Sequence, residues 1–169
     1  MYTFCEANSS SYVYVVYLRT EGKDGVNIQL LQAKSRAASL RKATVPRLEL
    51  LACCIGAPLA YSMKEAMTLE DVSSFFWKDS TTVLYWIKNK ENWGTFVNNR
   101  VKEINQVSTV EMWRHVPGQC NPSDLPSRGC TLKILLDSRW REGPQWLRFP
   151  AKNWPNSETQ INKEEVSKE

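Results

Sequence analysis

The chain has 169 residues, of which 42% are hydrophobic and 24% charged, and its formal net charge is +4. This length fits one domain, which can bury about 70% of its unfolded surface without disulfide bonds. No apolar run reaches the ~18 residues that a membrane helix requires, and the mildly basic charge permits nucleic-acid binding without demanding it. The five cysteines include no C-x-x-C pair and come without a signal peptide, which predicts a reduced, intracellular setting rather than a secreted one.

The N-terminal residues predict an antiparallel meander of three strands. Aromatic and β-branched residues are concentrated in the sequence YTFCEA and in residues 10–20. Residues 25–35 follow the turn sequence EGKDG and have the same character. A turn between two such runs brings them together as neighbouring strands.

Residues 43–67 predict a long helix. Thr44 or Val45 is a suitable N-cap, and Pro46 in the first turn is compatible with a helix start. Pro58 is expected to kink this helix or divide it in two, because proline has no backbone N–H to donate.

Strands and helices alternate in the second half of the chain. Residues 72–78 form a short apolar run that predicts a buried strand, and Ser80 begins a helix with good cap chemistry. A helix over 92–107 and a strand over 108–116 follow. Residues 117–130 predict a loop or helix start, and the chain after them is expected to be helical up to Arg141. A meander followed by alternating strands and helices predicts a mixed sheet with helices packed on it.

Four acidic residues lie at the ends of these predicted elements. Asp79 follows a strand and precedes a helix, at the edge of an α/β sheet where ligands gather. Glu6 lies near the end of the first strand, Glu49 is in the first turn of an apolar helix, and Asp124 is at a helix start. Each acid also has a purely structural interpretation, as a cap, a first-turn acid or a solvent-exposed strand end. If they converge, a cation is needed among them, and oxygen ligands suit Mg²⁺.

Three segments carry a resemblance to a known family. AKSRAASLRKATVPRLELLA, FFWKDSTTVLYWIKNKENWGTFVNNRVKEI and WRHVPGQCNPSDLPSRG strongly resemble the ribonuclease H domain in the polyprotein of BEL/Pao-type retrotransposons. CEANSSSYVYVVYLR resembles the first hairpin of that domain, so the match covers roughly residues 2–148. The resemblance implies an α/β, ribonuclease H-like fold, in which helices flank a five-stranded mixed sheet of a three-stranded antiparallel meander plus two parallel strands.

The resemblance also implies a metal-dependent nuclease. By position, the family's four catalytic and metal-binding carboxylates correspond to Glu6, Glu49, Asp79 and Asp124. They would hold two Mg²⁺ ions, or Mn²⁺, and hydrolyse the RNA strand of RNA/DNA hybrids during reverse transcription. Such domains lie between the reverse transcriptase and integrase regions of a polyprotein, which acts in a cytoplasmic particle or in the nucleus.

Two departures from the family pattern keep an alternative open. Glu6 stands where the family usually has Asp, which adds a methylene at the ligand shared between the metals. The loop before the last Asp has Gln119 or Cys120 where the wider pattern has a histidine. The sole histidine, His115, is predicted to make a structural hydrogen bond. The alternative is a catalytically impaired, structural or nucleic-acid-binding remnant.

A third class of protein is also suggested by the residues around Asp79. Asp79-Ser80-Thr81 superficially resembles the D-[ST]-G of retroviral-type aspartic proteases. Thr81 replaces the glycine of that tight turn, however, and a helix is predicted to follow where those proteases have a hairpin. The aspartic-protease interpretation is therefore the weakest of the three.

Basic residues predict a surface that follows phosphates. From Lys34 to Arg47 the chain has five cationic side chains and no acid, an arrangement typical of a solvated loop or of a phosphate-binding edge. Arg128 is expected to contact a phosphate or the Asp124 carboxylate. The predicted nucleic-acid-binding residues are Lys34, Arg36, Arg41, Lys42, Arg47, Ser80 and Arg128.

The chain is expected to divide into three parts: a ribonuclease H-like domain over 1–131, a helical and irregular extension toward the integrase region over 132–154, and a disordered tail over 155–169. Most tryptophans are expected in the core, because they are interspersed with aliphatic residues. The predicted core also contains Leu48, Leu51, Ile55, Phe75, Trp77, Leu84 and Val101.

Overall fold

The computed structural model describes residues 1–38, 43–155 and 166. Its strands are β1 Tyr2–Ala7, β2 Ser11–Gly22, β3 Gly25–Ala37, β4 Phe75–Lys78 and β5 Trp113–His115. Its α-helices are α1 Val45–Ala66, α2 Thr81–Lys88, α3 Thr95–Asn105, α4 Asp124–Arg128 and α5 Leu132–Asp137. Short 3-10 turns lie at Val110–Met112, Gly118–Cys120, Trp140–Glu142, Gln145–Arg148 and Ala151–Asn153. Among the helices described, none is both long enough and apolar enough to cross a bilayer.

The five strands form one mixed sheet in the order β3-β2-β1-β4-β5. The meander β1-β2-β3 is antiparallel, while β4 pairs in parallel with both β1 and β5. This is the predicted fold class, which is confirmed. In β1 and β4, Phe4 lies opposite Trp77, so the residues two positions further along each strand, Glu6 and Asp79, reach the same edge of the sheet.

Helix α1 packs closely against the sheet through Gly56. A Cβ on this glycine would lie 2.7 Å from the Cys5 Sγ, so only glycine allows the helix to approach β1 at this point. Pro58 lies inside the same continuous helix, so of the two expected outcomes, a kink or a division of the helix, the division does not occur. Packing on the sheet stabilises the helix and offsets the lost backbone hydrogen bond.

A hydrophobic core fills the space between the sheet and the helices on one face. Trp86 and Trp113 are fully buried here, and Trp93 packs against this core from a partly buried position. Of the predicted core residues, Leu48 and Leu84 are buried on this face and Trp77 on the other, while the rest are partly buried against a core: Leu51, Ile55, Phe75 and Val101. Of the seven tryptophans, Trp77, Trp86 and Trp113 are buried, and the other four are partly buried against a core.

The C-terminal segment covers the opposite face of the sheet. Leu147 is fully buried there, and the Trp146 ring packs edge-on against the Trp77 ring, with 5.1 Å between the ring centres. The helix predicted to reach Arg141 ends at Asp137, because Arg139 adopts a left-handed conformation at φ 52° and turns Trp140 toward the sheet. The Trp140 indole then donates a hydrogen bond to the Pro122 carbonyl at 2.6 Å.

Two further boundaries differ from the sequence predictions. The strand predicted over 108–116 is regular only at Trp113–His115, because a 3-10 turn precedes it. The strand predicted over 72–78 begins at Phe75, whose N–H donates to the Met1 carbonyl at 2.9 Å. Of the tail over 155–169, only Pro155 and Val166 are described, and Val166 is buried in the core beneath the helices.

Candidate functional site

Three carboxylates from different elements converge at one edge of the sheet. Glu6 ends β1, Glu49 lies near the start of α1, and Asp79 directly follows β4. One oxygen from each lies within 4.8 Å of the others. Among the residues that the structure describes, no fourth acid joins this group, which we call the acid cluster. The sequence analysis predicted these three acids.

A lysine that the sequence analysis missed lies in the middle of the acid cluster. Lys78 is the last residue of β4, and its side chain has no exposed surface. Its Nζ lies 3.1 Å from an oxygen of Glu6 and 3.4 Å from an oxygen of Glu49, and it donates a hydrogen bond to the Asp79 carboxylate. The sequence signal for it was the lysine that ends the buried apolar strand FFWK, since a buried lysine requires anionic partners.

Backbone and amide groups hold Glu6 in place. One of its oxygens accepts a hydrogen bond from the Ala7 N–H at 2.8 Å, and the other accepts one from the Asn121 side chain at 3.0 Å. Asn121 also donates to the Cys5 carbonyl at 3.2 Å. The loop before Asn121 presses on the cluster from the same side, because a Cβ on Gly118 would lie 3.0 Å from an Asp79 oxygen.

Burial and the Lys78 ammonium act in opposite directions on these carboxyl groups. Burial raises the pKa of Glu6 to about 7, although Lys78 lowers it. Burial also raises the pKa of Glu49 against the same ammonium. Burial would raise the pKa of Asp79 as well, but the attraction of Lys78 and hydrogen bonds from its neighbours outweigh this effect and lower it. For Lys78, burial would lower the pKa, but the three carboxylates raise it above its usual value.

Asp79 is not the helix cap that its position suggested. Ser80 is the N-cap of α2, and its Oγ accepts a hydrogen bond from the Val83 N–H at 3.4 Å. His115 Nε2 donates a hydrogen bond to the Asp79 carbonyl at 3.0 Å. That structural hydrogen bond agrees with the prediction for His115, and burial lowers the pKa of its ring.

Asp124 stays apart from the other three acids. It is the first residue of α4, and its carboxylate accepts a hydrogen bond from Arg128 Nε at 2.8 Å. The sequence predicts that Arg128 contacts either a phosphate or the Asp124 carboxylate, and in the structure it contacts Asp124. Asp124 lines a cavity of about 370 Å³ together with Asn121 and Trp146. The structure therefore brings the first three of the four predicted carboxylates within 4.8 Å of one another, and Asp124 is not in that group.

The predicted basic residues lie on and beyond the edge strand. Lys34 and Arg36 are exposed on β3. The Arg47 guanidinium lies 5.2 Å from the centre of the Phe96 ring. Arg41 and Lys42 lie outside the described residues.

The acid cluster offers the donor type of a magnesium site, but the Lys78 ammonium already contacts all three carboxylates. Three carboxylates within 4.8 Å of one another suit a hard cation that is bound through oxygen. The space that all three face contains the Lys78 ammonium. As these side chains lie, they do not fit a divalent ion shared between Glu6, Glu49 and Asp79.

The order of the strands defines a ribonuclease H-like domain, with acids at the carboxyl ends of the parallel pair β1 and β4. A family model described as the Pao retrotransposon-like RNaseH-like domain matches residues 1–80. The family resemblance found in the sequence is thereby confirmed over these residues, which include the acid cluster and Lys78 but not Asp124.

The chain is also similar to a solved structure. The crystal structure of RNase H1 from the halophilic archaeon Halobacterium salinarum NRC-1 is 14% identical in sequence. The similarity covers 72% of this chain and 87% of that chain, with a TM-score of 0.48. No curated protein matches the chain.

Proposed function

We propose that this ribonuclease H-like domain binds RNA/DNA hybrids and needs no divalent ion to do so. It would work between the reverse transcriptase and integrase regions of a retrotransposon polyprotein, in a cytoplasmic particle or in the nucleus. The observation that supports the proposal is the Lys78 ammonium among Glu6, Glu49 and Asp79.

The charge of the acid cluster is what makes Lys78 relevant to binding. Three ionised carboxylates alone would repel the phosphates of an approaching strand. The single charge of Lys78 reduces their formal charge from −3 to −2, and protonation of Glu6, whose pKa is about 7, reduces it further. Part of the neutralisation that a bound metal would supply is therefore provided by the chain itself.

The edge strand supplies cations at a suitable distance from the cluster. Glu6 lies opposite Val13, which in turn lies opposite Ser35, so two strand spacings place Ser35 about 10 Å from Glu6. Lys34 and Arg36 flank Ser35 and are exposed, and because side chains alternate along a strand they project from the opposite face of β3, opposite Tyr14 and Tyr12. Cationic side chains along an edge bind the phosphates of either strand without reading the bases. Selectivity for RNA would come from its 2′-hydroxyl groups. The further phosphate contacts that we propose are Arg41, Lys42, Arg47, Ser80 and Arg128.

The convergence of three carboxylates favours a second candidate function. This is hydrolysis of the RNA strand of the hybrid with two Mg²⁺ or Mn²⁺ ions, for which Glu6, Glu49, Asp79 and Asp124 would be the ligands. It requires Lys78 to leave the cluster and Asp124 to leave Arg128. If the hydrolase is active, Glu6→Asp is expected to raise cleavage, because it restores the shorter side chain.

Fluorescence anisotropy of a labelled RNA/DNA hybrid tests the first proposal. We expect the affinity in EDTA to be at least as high as in Mg²⁺, because free Mg²⁺ competes for the same phosphates. The double variant Lys34→Gln/Arg36→Gln should bind more weakly and reduce the slope of log K against log salt by about 2. Lys102→Gln, on the exposed side of α3, is the matched control and should bind as the native chain does. Binding that requires Mg²⁺, or an affinity that is the same in the double variant as in the native chain, would contradict the proposal.

A cleavage assay on the same hybrid separates the two candidates. The first proposal predicts no Mg²⁺-dependent product from the native chain at protein concentrations that saturate the hybrid. Product that forms with the native chain and disappears in Asp79→Asn would establish the hydrolase in its place.

A further inference from the structure

We propose that Lys78 takes the place of a metal ion, so that the native chain excludes divalent cations from the acid cluster and a short neutral side chain at this position opens a metal site. This inference concerns the same cluster as the proposed function but does not depend on hybrid binding. A failure of either can therefore be recognised separately.

The geometry places the ammonium where an ion would lie. Magnesium binds carboxylate oxygens at about 2.0–2.1 Å, so oxygens on opposite sides of one ion are about 4 Å apart. The three oxygens of the cluster lie within 4.8 Å of one another, which is close to that spacing. Lys78 Nζ contacts all three carboxylates. An ion in the same space would be in contact with a positive charge.

The surroundings of Lys78 prevent it from moving aside. Its side chain has no exposed surface, and its strand is held between β1 and β5. The Lys78 carbonyl accepts a hydrogen bond from the Val116 N–H at 3.1 Å. To reach solvent, the ammonium would have to leave three carboxylates. This movement is unfavourable, because it would leave the buried carboxylates without their cationic partner.

Manganese binding to the purified chain tests the inference, by calorimetry and by the electron paramagnetic resonance signal of free Mn²⁺. The native chain and Glu49→Gln should show the same weak surface binding, with no site that Glu49 contributes. Lys78→Thr should gain one site that Glu49→Gln removes when the two are combined. Threonine suits a strand and leaves the centre of the cluster open. Lys102→Thr is the control and should match the native chain.

Thermal unfolding gives a second readout. Mn²⁺ at a hundred times its dissociation constant should raise the Tm of Lys78→Thr by about 5–10 °C and leave that of the native chain unchanged. If Lys78→Thr does not fold without metal, folding on addition of Mn²⁺ supports the inference. A site in the native chain that Glu49→Gln abolishes would overturn it. So would a folded Lys78→Thr that binds no more Mn²⁺ than the native chain. If the variant folds under neither condition, the comparison of the native chain with Glu49→Gln decides.

Discussion

Lys78 and Arg128 are two cations of the described residues that contact the predicted acids, and they differ in burial. Lys78 has no exposed side-chain surface and contacts three carboxylates, whereas the Arg128 side chain is 73% exposed and contacts only Asp124. In the chain, each of these cations lies within four residues of an acid that it contacts. The environment of each cation therefore decides what it does. The buried one is part of the folded structure, and the exposed one can exchange its carboxylate for a phosphate or for water.

The physical reason for this difference is the cost of removing each partner. An exposed ion pair contributes little to the free energy of unfolding, because water solvates both groups well when they are apart. A buried ion pair stabilises the fold little more than apolar residues of the same size would. The loss of one partner alone is costly, however, because it leaves an unpaired charge without solvent. Removal of Lys78 would leave three such carboxylates without their cation.

Removal of the buried cation should have the largest effect. Lys78→Met keeps most of the side-chain volume but leaves Glu6, Glu49 and Asp79 facing one another. We expect a loss of about 3–5 kcal/mol in the free energy of unfolding. Urea unfolding at neutral pH in EDTA measures it. A loss below about 1 kcal/mol would mean that Lys78 contributes no more than a surface cation.

The coupling between Lys78 and one of its partners is the second test. In Glu49→Gln, the carboxylate charge beside the ammonium is lost, and in the double variant with Lys78→Met neither charge remains. The double variant should be more stable than the two single losses predict, by about 1–3 kcal/mol. A double-mutant cycle from urea unfolding gives this energy. Additive losses would show that the 3.4 Å contact carries no energy.

The pH dependence of stability tests Glu6. Because burial raises the pKa of Glu6 from 4.5 to about 7, the folded chain binds this proton more tightly than the unfolded chain does. The resulting stability is present below about pH 4.5 and is lost as the pH rises through about 7. Relative to Glu6→Gln, the native chain should lose on the order of 2–3 kcal/mol across this range.

Glu70→Gln is the control for that titration, since Glu70 is exposed. The free energy of unfolding of Glu70→Gln should fall with rising pH in parallel with that of the native chain. If Glu6→Gln also follows the native chain between pH 4.5 and 7, Glu6 does not titrate in this range.

The exposed cation should give the smallest effect. Arg128→Met removes the 2.8 Å contact with Asp124, and we expect a change within about 0.5 kcal/mol in the free energy of unfolding. The same urea experiment as for Lys78→Met measures it. A loss that approaches that of Lys78→Met would contradict the distinction between the two cations.

Much of the fold and part of the site followed from local patterns in the sequence. The runs of β-branched and aromatic residues predicted the meander, and Thr44 and Ser80 are N-caps at the predicted helix starts. The convergence of Glu6 and Asp79 also followed, because the carboxyl ends of neighbouring parallel strands lie at one edge of a sheet.

Contacts between distant segments decided the rest. The helix predicted up to Arg141 ends early because the Trp140 ring packs against Tyr17 and its indole bonds Pro122. Asp124 matches the family motif by position, but its place outside the acid cluster depends on how α4 packs. Lys78 follows three aromatic residues in FFWK, and the pattern of the strand predicts burial without naming its partners. Glu6 and Glu49 are 72 and 29 residues away from it in the chain, so only the packing of α1 and β1 against β4 brings the carboxylates to the ammonium.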